Sequence, residues 1–260
     1  MIRIYKLLSP LFITLISNSL CFSENPSIDS TKVNTQFTTS GTMMNGNASR
    51  ILLFNKLDLE YLGKGYNILS WQVYTYGTVN GNITENDVRS ENFLDINPTK
   101  KIVPFFRIFF ETNFLRKVDF RYQPGAGLAY YFVRNPKQTF RSFLALSYEN
   151  TKYNTSLLDN SPNPNNSRVE YWGGIIGFIG NHNFFEDKIG IQYRLYNQQG
   201  LSFINAYRSF YELGLSYKLN RNISLQINSR YSFEKIVPTG FKPYDLNWTY
   251  GFSISNFHFN

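Results

Sequence analysis

The sequence predicts an all-β chain, a transmembrane antiparallel up-and-down β-barrel of about 12 strands. Strict alternation is the first reason. In VDFRYQPGAGLAYYF (118–132), one face carries Phe120, Tyr122, Pro124, Ala126, Leu128, Tyr130 and Phe132. The other carries Asp119, Arg121, Gln123, Gly125, Gly127, Ala129 and Tyr131. Composition is the second: aromatics make up 18% of the 260 residues, against 17% charged. So much aromatic surface with so few charges suits a protein whose outside meets something other than water. Mean hydropathy is only −0.31, and beyond the N-terminus no apolar run approaches the ~20 residues of a spanning helix. Strands whose two faces average out leave that low value. Connection lengths are the third reason and follow from the segments themselves.

The N-terminus reads as a signal peptide, 1–23: Arg3 and Lys6, a largely apolar stretch from Leu7 to Leu20, then small residues at Cys21 and Ser23 for cleavage before Glu24. A lipoprotein reading of Cys21, the only cysteine, is disfavoured because Leu20 occupies a position that needs a small residue. Cleavage after Ser23 leaves a chain without disulfides. Residues 24–30 form a short periplasmic lead-in, and 31–260 form the barrel.

Segments one to three run over 32–42, 50–61 and 66–78, punctuated by Met44-Asn45-Gly46-Asn47, Leu62-Gly63-Lys64-Gly65 and Asn80-Gly81-Asn82. The fourth, 83–96, is the most polar. The fifth, 101–111, sets Ile102, Pro104, Phe106, Ile108 and Phe110 against Val103, Phe105, Arg107, Phe109 and Glu111, and Pro104 predicts a bulge or local defect. After the sixth, 118–132, the seventh spans 139–153 and opposes Leu144 and Leu146 to Arg141 and Glu149. The eighth, 168–180, is glycine-rich with no clear facing, and the ninth, 188–196, turns Arg194 inward. The tenth, 205–219, faces Arg208, Glu212 and Lys218 inward, the eleventh from Ile223 does so with Arg230, and the twelfth is 246–257.

The longest connections, 157–167 and 235–245, are the seventh and eleventh, while the second, fourth, sixth and tenth are compact. Starting from a periplasmic N-terminus, this places long loops outside and short turns inside, as membrane barrels do. A soluble barrel has no reason for that asymmetry. The 157–167 loop, rich in Asn and Pro, is expected to be solvent-exposed.

Residues 110–153 resemble the centre of an outer-membrane family labelled domain of unknown function 481, the salt-induced outer-membrane proteins. A D-x-R-Y…G-A-G-L-x-Y strand followed by a strand ending in Y-E carries the resemblance. Asp119, Arg121, Tyr122, Gly125, Ala126, Gly127, Leu128, Tyr130, Tyr148 and Glu149 occupy those places. The resemblance implies a barrel in the outer membrane of a Gram-negative-type bacterium, with no established reaction or catalytic residues. The chain departs from the usual assembly signal by ending Phe257-His258-Phe259-Asn260 rather than on an aromatic.

A catalytic role finds little support. A lipid hydrolase needs a His base bonded to a Ser nucleophile. The two histidines, His182 in an expected turn and His258 near the end, have no such neighbour in sequence. No cofactor or metal site is expected, since no ligand spacing appears. Nucleic acid is excluded as a partner, because the net charge of +8, or about +6 without Arg3 and Lys6, is dispersed. Expected partners are outer-membrane lipid and the barrel-assembly machinery, with a monomer favoured.

The candidate lumen-lining residues are Arg107, Glu111, Asp119, Arg121, Arg141, Glu149, Arg194, Arg208, Glu212, Lys218 and Arg230. They admit two readings: opposite charges pairing to plug the lumen, or excess arginine lining a narrow pore for small anions. The function expected is an envelope or stress-related barrel, with a narrow channel as one form of it. A surface-binding role through the external loops is the alternative.

Overall fold

The computed structural model describes residues 32–254 apart from 46–48, 64, 136, 164 and 221–222. The predicted signal and lead-in, Cys21, His258 and the terminal aromatics lie outside the described residues. Twelve long strands form one antiparallel sheet in which each is hydrogen-bonded to the strands before and after it. They are β1 (Lys32–Met44), β2 (Arg50–Leu62), β3 (Tyr66–Val79), β4 (Asn82–Ile96), β5 (Ile102–Asn113), β6 (Val118–Arg134), β7 (Gln138–Tyr153), β9 (Arg168–Phe184), β10 (Ile189–Gly200), β11 (Tyr207–Lys218), β12 (Ile223–Glu234) and β14 (Tyr244–Ile254). Two short strands, β8 (Leu158–Asp159) and β13 (Val237–Pro238), pair with each other.

The sheet curls into a barrel. Arg208 of β11 reaches Glu111 of β5 at 3.4 Å, and Arg121 of β6 bonds to Glu234 of β12. Such contacts between strands far apart in the sheet order require its two faces to become an outside and an inside. Alternation decides which side chain goes where. In β5, Val103, Phe105, Arg107 and Phe109 are buried inside, while Ile102, Phe106 and Ile108 are exposed. The glycine-rich β9 alternates as cleanly, with Val169, Tyr171 and Ile175 inside and Trp172, Ile176 and Phe178 outside.

The connections differ between the two ends. At the turn end, strands are joined by short segments such as 185–188; at the loop end lie 154–167 and 235–243. The shortest connection at the loop end is the β3–β4 hairpin, closed by Asn80 and Gly81 at φ 50° and 81°. Two central residues at positive φ match the twist of the flanking strands, which is why Asn-Gly serves there.

Two expectations are corrected. No bulge forms at Pro104: β5 pairs with β6 through Pro104↔Leu128 without a shift, and its pairing with β4 stops at Asp95↔Phe105, so the missing donor lies beyond it. The register shifts fall elsewhere, at Gly77/Thr78, Glu111/Asn113, Val118/Phe120 and Tyr131/Val133. His182 is a strand residue, paired with Gln138 and Ile191, and the turn follows it. The 157–167 loop is exposed to half-exposed along its described length, as expected, and β8 and β13 also zip it to the 235–243 loop. Thr239 donates its backbone N–H to the Leu157 carbonyl at 2.9 Å and its hydroxyl to Asp159 Oδ1 at 2.7 Å. Apolar Ile236, Val237 and Pro238 drive this closure, all buried, with half-buried Leu158 of β8 packed against the same cluster.

Candidate functional site

The barrel interior is the candidate site, and it is layered. Nearest the turn end, Arg141 of β7 donates through Nη1 to Asp95 Oδ2 of β4 at 3.0 Å and to the Tyr131 hydroxyl of β6 at 3.1 Å. Above this pair lies an aromatic layer. Phe93, Phe105 and Phe143 meet with ring centroids 5.5 to 6.0 Å apart, and Trp71 packs on Phe93 at 5.6 Å. Leu69, Val103, Ala129, Ile175, Tyr196 and Phe210 complete the cluster. These rings fit because the walls behind them are bare. A Cβ on Gly177 would overlap the Phe143 ring, and one on Gly127 would overlap the Leu144 carbonyl of the adjacent strand.

The next layer is ionic. Arg107 donates to Glu91 and, at 2.8 Å, to the Gln123 amide oxygen, and Gln123 reaches across to Gln198 Oε1 of β10 at 2.7 Å. Arg194 of β10 pairs with Glu212 of β11 at 2.8 Å, and Arg230 of β12 meets the same carboxylate at 3.3 Å. Toward the loop end, Arg121 is only 1% exposed. It is held by Glu111, by Glu149 at 3.2 Å and by Glu234, from three different strands. Arg208 approaches Glu149 at 3.2 Å, while Arg116, from the β5–β6 loop, joins Glu234 at 3.0 Å and Asp245 at 2.7 Å. Over this layer Val118, Tyr153, Val169, Tyr171, Ala206 and Ile236 form a second apolar cluster beneath the β8–β13 lid.

Carboxylates and guanidiniums taken out of water need partners with good geometry. Nearly every inward charge here has one. Of the sequence-predicted residues, Arg107, Glu111, Arg121, Arg141, Glu149, Arg194, Arg208, Glu212 and Arg230 are drawn into these layers. Lys218 lies at the turn end of β11, away from them. Asp119 must be corrected: it is exposed, because the bulge between Val118 and Phe120 takes it out of the alternation.

Six charged members were missed: Arg89, Glu91, Asp95, Arg116, Glu234 and Asp245. The signal for three was present, since Arg89, Glu91, Phe93 and Asp95 recur at every second position of β4. That segment's high polarity obscured its two faces. Glu234 continues the inward series Arg230–Ser232–Glu234, but Arg116 enters from a loop, where periodicity is silent.

As chemistry, the interior offers charge neutralisation and steric closure. His182 bonds through Nε2 with the Tyr193 hydroxyl at 3.1 Å and stacks on Phe184 and Tyr193. Among the described residues, no group of three or more His, Cys, Asp or Glu is arranged to hold a metal ion.

A family model described as protein of unknown function, DUF481, matches residues 37–255. Among solved structures, the chain is similar to one titled "NanC porin structure in rhombohedral crystal form", with a TM-score of 0.50 and 12% sequence identity. The match covers 85% of this chain and 99% of that one. At that identity the likeness concerns the fold, a porin-type β-barrel. No curated protein sequence matches.

Proposed function

The chain belongs to the DUF481 family of proteins of unknown function, and from that premise we propose that it is a non-catalytic barrel of the outer membrane whose lumen is shut by its own side chains. Its role is that of an envelope protein of structural or stress-related kind. The membrane reading is supported by the outer surface. Ile102, Phe106, Ile108, Leu128, Phe132, Leu144, Leu146 and Ile176 are all exposed on contiguous strands, far more apolar surface than water tolerates.

Buried Arg121, held at once by Glu111, Glu149 and Glu234, is the observation that carries the closed lumen. An arginine lining a water-filled pore would keep its hydration, whereas this one has exchanged water for three carboxylates from three strands. The test is conductance of the folded protein in a planar bilayer, with a heat-modifiable gel shift proving that the barrel is folded. Silence is expected. Discrete, frequent steps from folded protein would overturn the closed reading.

One observation favours a second reading, a narrow channel for small anions. Along the β2 and β10–β12 wall the packing is looser: the side chains of Lys56, Asp58, Arg194, Glu212 and Arg230 are 14 to 24% exposed. Three cations against two anions would favour anions in such a lane. If steps are seen, Arg230→Glu should lower their anion selectivity.

A further inference from the structure

The outward side chains at the middle of β3 and β4 break the apolar band. Ser70 and Gln72 of β3 and Ser90 and Asn92 of β4 fall on the outward phase, opposite to buried Leu69, Trp71, Glu91 and Phe93; Ser70 is covered by its neighbours and the other three are half-buried. They bond to one another. The Ser70 hydroxyl donates to Asn92 Oδ1 at 2.7 Å, Gln72 Nε2 donates to Ser70 Oγ at 2.8 Å and to Asn92 Oδ1 at 3.1 Å, and Asn92 Nδ2 donates to Ser90 Oγ at 2.9 Å.

Their position is the unusual part. The β4–β5 register sets Asn92 opposite Ile108 and Ser90 opposite Phe110, within the run Ile102, Pro104, Phe106, Ile108 and Phe110 that forms the apolar outside of β5. Along their own strands the four are flanked by outward Ile68 and Tyr74 on β3 and by Val88 and Leu94 on β4. They therefore lie inside the hydrophobic band and not at its edge. A second outward polar group, in which the Tyr207, Ser209 and Tyr211 hydroxyls all donate to Asn197 Oδ1, lies near the loop end, where tyrosines normally meet headgroups.

Hydrocarbon offers amides and hydroxyls nothing, and each polar group left facing it is costly. Within membranes, neutral Ser, Asn and Gln side chains instead mark contacts between spanning elements. Each amide or hydroxyl is both donor and acceptor, and none carries charge. A copy of the patch turned through a two-fold axis along the membrane normal thus offers the groups it needs without repulsion.

From these four side chains and their place in the band we propose that the β3–β4 outer wall is the contact with a second copy of this chain, forming a two-fold dimer in the membrane. This departs from the monomer the sequence suggested, and it rests on the outer-membrane reading above. Around the polar centre, Leu59, Ile68, Tyr74, Val88 and Ile108 are exposed and supply an apolar rim.

Cross-linking in isolated membranes tests it, in a Cys21→Ser background so that the engineered thiol is the only one. A short bis-maleimide should join Ser90→Cys into a covalent dimer and leave Leu146→Cys, on the exposed outer face of β7, monomeric. Gln72→Leu with Asn92→Leu should abolish the dimer of the otherwise unmodified protein while keeping the heat-modifiable shift of a folded barrel. Equal cross-linking at both sites, none at Ser90→Cys, or adducts only with another protein would overturn the proposal. Membrane fractionation, scored separately, tells the two failures apart: a chain absent from the outer membrane refutes the premise, whereas an inserted monomer refutes the dimer alone.

Discussion

Arg107 of β5 holds Glu91 of β4 through two nitrogens, Nε at 2.9 Å and Nη2 at 2.8 Å, both on Oε1. Both side chains are almost wholly buried, and Arg107 lies 5.1 Å from the Phe109 ring centroid and 5.5 Å from that of Tyr196. An ion pair in this setting is worth less than its geometry suggests, because desolvation opposes the Coulomb attraction. Breaking it is another matter. Arg107→Ala should cost ~3–5 kcal/mol by leaving buried Glu91 with only the longer approaches of Arg89 at 4.0 Å and Arg194 at 3.9 Å. Arg107→Met with Glu91→Leu should cost far less, within about 1 kcal/mol of the parent or on the stable side. Urea unfolding in detergent, followed by tryptophan fluorescence, separates the two variants. Equal losses would mean that the pair is not desolvated.

The same neighbourhood shows what the sequence could tell and what it could not. The faces of β5 and β6 were legible because their outward residues are uniformly apolar, so alternation alone sorts Phe106 and Ile108 from Arg107. On β4 both faces carry polar residues, and composition hides a period of two that Arg89, Glu91, Phe93 and Asp95 nonetheless keep. Asp119 shows a different limit. One inserted residue at a bulge reverses the facing of its neighbour, and nothing local in Val118-Asp119-Phe120 announces the insertion. Which carboxylate meets which arginine was beyond reach, since Arg121 and Glu234 are brought together by barrel curvature across 113 positions of sequence.

Gly177 and Phe143 should be mutually dependent. A Cβ at Gly177 overlaps the Phe143 ring, which is itself locked against Phe93 and Phe105. Overpacking of this sort costs ~1–3 kcal/mol. Gly177→Ala should therefore lower the unfolding midpoint, and adding Phe143→Leu should restore part of the loss. Additive effects in the double variant would show that the two do not touch.

Tyr153 ties the lid to the ionic layer. Its hydroxyl lies 3.1 Å from Glu234 Oε1 and 3.2 Å from the Ile236 carbonyl, at the root of the β12–β14 loop. Tyr153→Phe keeps the ring in its apolar cluster and removes about 1.5–3 kcal/mol of charged hydrogen bonding. Local opening of the lid should rise accordingly. Limited proteolysis of the intact, membrane-inserted protein should then cut within 235–243 faster than in the parent, with strand resistance unchanged. An unaltered cleavage rate would mean that β8–β13 pairing alone holds the loop.

The two apolar clusters act as seals in series, one around Phe105 and Phe143 and one around Tyr153 and Ile236, with the ionic layer between them. Current through a series arrangement requires both to be breached. Replacing 157–165 and 236–241 with short Gly-Ser linkers removes the β8–β13 lid, yet the aromatic layer beneath still closes the lumen. Phe105→Ala with Phe143→Ala opens a gap in the aromatic layer beside Phe93 at a cost of roughly 3–5 kcal/mol per ring, yet the lid remains. Each change alone should leave a folded barrel silent in a planar bilayer, and the two together, by letting water reach the ionic layer around Arg121 from both ends, should produce discrete steps. Conductance from the lid deletion alone would place the only seal at the loop end. Conductance from the phenylalanine pair alone would show that the lid leaks and that the aromatic layer is the one closure.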